Sequence, residues 1–159
     1  MREGSIPAPL VRREDYAASA WRIATVDLVF DLDPARTLVS SRMRVERNPA
    51  VVAQPLKLHG SDLNLLRVLI DGQSVAFRAE ADCLVIDALP ADAFTLDIRT
   101  TCAPDRNTQL SGLYTSGGGL FTQCEAEGFR RITYFLDRPP LHRLPDLELQ
   151  RKVVLSFDV

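Results

Sequence analysis

The sequence has little of what metal and nucleophilic catalysis most often use. It holds two histidines, His59 beside Gly60 and His142 in a Pro-rich stretch, and no His-Glu-x-x-His. A helical zinc-protease motif would need both of its histidines at that spacing, with the glutamate between them as general base, so that motif is excluded. The three cysteines, Cys83, Cys102 and Cys124, are an odd number without a Cys-x-x-Cys pair. That pattern predicts free, mostly buried thiols in a reducing compartment and no thiolate metal site. With no histidine placed to serve Cys124 and no nucleophile elbow, a self-contained hydrolase is disfavoured.

Charge of one sign is not in excess either. Lys and Arg number 19 against 21 Asp and Glu, interspersed along the chain, which excludes the basic stripe of a nucleic-acid or anionic-membrane binder. No apolar run reaches the length of a spanning helix, and Met1 to Tyr16 has no apolar signal core. A cytoplasmic location is the resulting expectation. Repeats, heptads and low-complexity tracts are absent, and few windows show helical periodicity.

What is present is period-two alternation in a chain that is 46% apolar, enough for one well-cored domain. Val26, Leu28, Phe30 and Leu32 alternate with polar neighbours. After Asp33-Pro34 the pattern resumes at Val39, Met43 and Val45, which predicts an antiparallel hairpin. Further strands are expected at Leu56 to Leu58, Leu63 to Ile70, Val75 to Phe77, Cys83 to Ile86 and Phe94 to Thr100. Asp71-Gly72 should make a tight turn between apolar runs. From Ala103 to Gly119 the pattern gives way to loops around a short segment at Leu113 to Thr115. Lys152 to Val159 reads as a strand at full pattern with no polar tail, as though a longer polypeptide continued. The expected fold is all-β, antiparallel and sandwich-like, with residues 1–15 an extension and 16–159 a single domain.

The segment from Leu120 to Pro139 reads LFTQCEAEGFRRITYFLDRP. In an extended chain Gln123 and Glu125 leave the same face, and their oxygens would form an acceptor-only site suited to an ammonium group. On spacing alone the plainer alternative is the favoured one: Gln123 faces solvent, and Glu125 or Glu127 pairs with Arg130 or Arg131. The whole segment, however, closely resembles TQxEAEGFRRxTYFLDRP of the bacterial aminopeptidase N family, in the M1 group of zinc peptidases. Ile23 to Asp33 and Leu110-Ser111-Gly112-Leu113-Tyr114 resemble the same family's N-terminal domain.

The resemblance implies a saddle-shaped β domain that packs against a separate catalytic domain. It implies that Gln123 and Glu125 bind the amino terminus of a peptide substrate, and that zinc belongs to the parent enzyme and not to this chain. No catalytic or metal-ligating residue is then expected here, and the chain alone should be inactive. Glu125 places it with the aminopeptidases, because epoxide-hydrolysing relatives tend to have a second Gln there. Arg130, Arg131, Asp137 and Arg138 read as an ion-paired turn. The family pattern is lost at Pro140-Leu141-His142-Arg143-Leu144-Pro145. The competing expectation is a free-standing β-sandwich that binds or scaffolds.

Overall fold

A computed structural model describes residues 18–124, 127–136, 148–149 and 152–158. Strand β1 is Trp21–Asp31, β2 Thr37–Arg47, β3 Leu56–His59, β4 Asn64–Ile70, β5 Gln73–Ser74 and β6 Arg78–Ala79. Then come β7 Cys83–Ile86, β8 Ala93–Cys102, β9 Gly112–Ser116, β10 Gly119–Gln123, β11 Glu148–Leu149 and β12 Lys152–Asp158. No α-helix occurs among the described residues; Pro104–Arg106 and Phe129–Arg131 are single 3-10 turns.

The strands form a six-stranded sheet in the order β12-β1-β2-β8-β4-β5 and two three-stranded sheets, β11-β10-β9 and β3-β7-β6. All the pairings are antiparallel. The β1–β2 turn is fixed by Asp33, whose Oδ1 accepts from Ala35 N at 2.8 Å and Arg36 N at 3.0 Å. Asp residues favour turns through such local bonds. At Asp71-Gly72 both residues have positive φ, 47° and 79°, the twist that a two-residue hairpin needs between Ile70 and Gln73.

Alternation puts Val39, Met43, Val45, Phe94 and Leu96 of the large sheet at 0% exposure. Leu56, Leu58, Leu84 and Ile86 of the β3-β7-β6 sheet are equally buried and share that core. Trp21 closes one end, its ring meeting Phe94 edge-on at 5.6 Å while Nε1 donates to Gln54 O at 2.7 Å, so its polar atom is satisfied. In β1 the inward set changes phase, from Trp21 and Ile23 to Val26, Leu28 and Phe30. A register shift between Ile23 and Thr25 leaves Ala24 as the extra residue of a bulge, which restores apolar side chains to the core.

Val75 to Phe77 is not a strand: it links the two-residue strands β5 and β6, and Phe77 is exposed. Strand β5 pairs only with Leu69 and Ile70, so the alternation beyond Ser74 has no neighbour to bond.

Candidate functional site

The segment singled out in the sequence begins as strand β10 and then turns sharply. Its ladder with β9 ends where Gln123 faces Gly112. Gly128 N donates to Cys124 O at 3.2 Å, and Phe129–Arg131 coils into a 3-10 turn. Strand geometry therefore underlies Gln123 but stops there. Glu125 lies outside the described residues, as do Asp137, Arg138 and His142.

Two glycines make the turn possible. A Cβ on Gly128 would sit 2.5 Å from Gln123 O and 2.7 Å from Ser111 Oγ, closer than any side chain can approach. Gly112 has φ +77°, and a Cβ there would lie 2.5 Å from Arg131 Cβ. It therefore combines a left-handed backbone with a close approach, the two reasons for which glycine is needed. Asn107 shapes the loop before β9, its Nδ2 donating to Ser111 O at 2.7 Å and Leu113 O at 2.8 Å.

Downstream, the segment plugs the core. Phe129, Ile132, Tyr134, Phe135 and Leu136 are buried, and Phe129 meets Phe135 edge-on at 4.4 Å. The buried Thr133 Oγ1 lies 3.4 Å from Ser41 Oγ on β2. His59 N donates to Phe135 O at 2.8 Å and Phe135 N to His59 O at 3.0 Å, so the end of β3 is stitched to the plug. A Cβ on Gly60 would collide at 2.5 Å with the Tyr134 ring. Burial raises the Tyr134 phenol.

Arg130 pairs with Glu127 at 3.1 Å, as the plainer reading of the spacing allowed. Arg131 instead reaches Asp62, a residue on the β3–β4 connection that no local pattern pointed to. The glycines at 112 and 128 are visible in the sequence, but the residues that would crowd a side chain at each come from the fold.

Cys83 and Cys102 are free thiols, the first buried and the second half-buried, and Cys124 is half-buried. Cys102 lines a cavity of about 330 Å³ with Asp62, Arg106, Asn107, Leu113 and Arg131, and burial pushes its thiol from 9.0 to about 11. At pH 8 a rise of two units cuts the thiolate fraction roughly a hundredfold, so iodoacetamide should label Cys102 that much more slowly in the folded chain than in urea. Peptide mapping of the time course checks this. The same shift contributes stability that is complete below pH 9 and is lost as pH rises through 11, because only the unfolded thiol ionises in that window.

Among the described residues no group of three or more His, Cys, Asp or Glu is placed to hold a metal ion. His59 is engaged at a strand end, and no second histidine is near it in sequence. The described residues offer no donor set for zinc.

No family model matches the chain. Among solved structures, a two-domain M1 zinc metallopeptidase bound to L-tryptophan superposes at TM-score 0.62, covering 89% of this chain and 40% of that one at 13% identity, which establishes a shared fold. Legionella pneumophila aminopeptidase A in complex with aspartic acid gives TM-score 0.72 at 28% identity over 79% of this chain and 15% of that one. The architecture is thus that of the N-terminal β domain of M1 aminopeptidases. At the sequence level, Escherichia coli aminopeptidase N is 48% identical over 128 residues, 80% of this chain. The chain belongs to the aminopeptidase N family, matching its N-terminal segment. It spans 14% of the length of that relative.

No helix of the described residues is long and apolar enough to cross a membrane.

Proposed function

We propose that this chain is the amine-recognising β domain, residues 16–159, of a zinc aminopeptidase that removes amino-terminal residues from peptides. In this reading Gln123 Oε1 and the Glu125 carboxylate accept hydrogen bonds from the substrate's α-ammonium group. A catalytic domain of the same polypeptide would hold the zinc outside this chain. The observation that carries the reading is the position of Gln123, at the last paired residue of β10 and just before a turn that two glycines lock.

The chemistry follows from the donor and acceptor count. An ammonium offers three charged N–H donors to a site made only of acceptors, whereas an acylated terminus keeps a single neutral N–H and brings a carbonyl, so acceptors are left without partners. Losing a partner in a partly dehydrated cleft costs more than gaining one returns, so free amino termini are selected. The cross-strand pair Tyr114 and Phe121, half-buried with ring centroids 6.1 Å apart, gives the same hairpin an apolar side suited to packing against another domain. The free thiols of Cys83 and Cys102 fit a reducing location such as the cytoplasm.

The isolated chain should neither bind stoichiometric zinc nor release a chromophore from an alanine anilide. Metal analysis and a plate assay on metal-checked protein test both points, and reproducible turnover by the chain alone would overturn the division of labour proposed here.

A further inference from the structure

We infer that Arg131, held by Asp62, is a positioning residue for the amine site, acting on Gln123 through Gly112 and Gly128. The inference rests on the reading of Gln123 and Glu125 as the ammonium acceptors. Its basis is a continuous path of contacts. Gln123 faces Gly112 across the β9–β10 ladder, and the place of a Gly112 side chain is taken by the Arg131 stem, whose Cβ would lie 2.5 Å from a Cβ there. The same absent Cβ would be 3.1 Å from Gly128 O, and Gly128 in turn touches Gln123 O, its own missing Cβ only 2.5 Å away. Arg131 thus covers Gly112 with its stem, and its backbone N–H donates to Gly128 O at 3.0 Å.

The far end of Arg131 is anchored outside the segment. Its guanidinium pairs with Asp62, and Ser61 N donates to Arg130 O at 2.8 Å, so the β3–β4 connection clasps the 3-10 turn at two adjacent residues. Asp62 holds a left-handed φ of 56°, uncommon for a residue with a side chain. The Asp62 side chain is 82% exposed, and a solvent-exposed ion pair adds little to global stability. What the clasp contributes is placement: a fixed stem over Gly112 keeps the end of β10 from shifting, and small displacements of a binding group are costly to recognition.

The test uses the complete aminopeptidase and two inhibitors, an amino-acid hydroxamate and its des-amino counterpart, which differ only in the α-amine. The des-amino inhibitor's constant divided by the hydroxamate's reads the ammonium contact apart from zinc binding and overall folding. Arg131→Ala should lower this ratio about three- to tenfold. Asp62→Asn, a change at an exposed side chain, should shift it in the same direction by less, and Arg131→Lys, which keeps stem and charge, should recover most of the loss. Gln123→Ala serves as the reference for a broken amine contact. If Gln123→Ala lowers the ratio and Arg131→Ala does not, or if Arg131→Ala weakens both inhibitors equally, the positioning role is overturned. If Gln123→Ala and Glu125→Ala leave the ratio unchanged, it is the amine-site reading itself that fails.

Discussion

Replacing Glu125 by Ala in the complete aminopeptidase is expected to lower kcat/KM for free-amine peptides by roughly ten- to more than a hundredfold. A hydrogen bond to a charged group contributes about 1.5–3 kcal/mol, and each ~1.4 kcal/mol is a factor of ten. Glu125→Gln keeps an acceptor oxygen while losing the charge, so its loss should be milder, and Gln123→Ala milder still because a neutral amide is removed. How the loss divides between constants carries further information. A contact equally strong in ground and transition states moves KM, whereas one that also places the scissile bond lowers kcat as well. Steady-state kinetics on variants of unchanged thermal stability checks the series. Wild-type kinetics for Glu125→Ala would show that the segment is structural in this protein.

The largest stability effect should come from Gly112, and it can be read on the isolated chain. Gly112→Ala meets two penalties, a left-handed backbone worth about 1–2 kcal/mol and an overpacked contact with Arg131 Cβ worth about 1–3 kcal/mol. At roughly 2–4 °C per kcal/mol for a domain of this size, the midpoint of thermal unfolding should fall by about 4–20 °C. Gly118→Ala isolates the first penalty, since φ there is +83° but nothing lies within 4 Å of the added carbon. Gly128→Ala isolates the second, because its backbone is right-handed at φ −76° and the carbon collides with Gln123 O. Calorimetry on the three variants should rank Gly112 as the most sensitive. Equal, small shifts for all three would mean that the turn beside Gln123 yields easily and does not hold its residues in place.

Much of this fold is written locally. The alternation of Val26, Leu28 and Phe30, and of Val39, Met43 and Val45, is legible because one face of each strand is buried and the other wet. The turns at Asp33-Pro34 and Asp71-Gly72 are legible because their side chains and backbone freedom dictate local geometry. The sheet order is not, since β8 comes between β2 and β4 by long-range pairing that no window of sequence contains. The bulge at Ala24 shows only as a slip in phase, and Val75 to Phe77 carries strand alternation that finds no neighbour.

At the candidate site the division is similar. Gln123 could be singled out because acceptors two residues apart have a simple chemical meaning and because the surrounding segment resembles a known family. The reason for the glycines and for Arg131 was hidden, because each depends on a residue that arrives from elsewhere in the chain: Gly112 on Arg131, Gly128 on Ser111, Arg131 on Asp62. Glu125, the other half of the expected pair, lies outside the described residues, and its role rests on the proposal and its kinetics.

Whether this β domain serves a zinc aminopeptidase can be read by sequencing the messenger that encodes it through and past the codon for Val159. An open frame that continues into a His-Glu-x-x-His motif with a downstream glutamate is expected. A frame that ends without those residues would contradict that expectation, leaving a free-standing β domain that shares the family's fold without its chemistry.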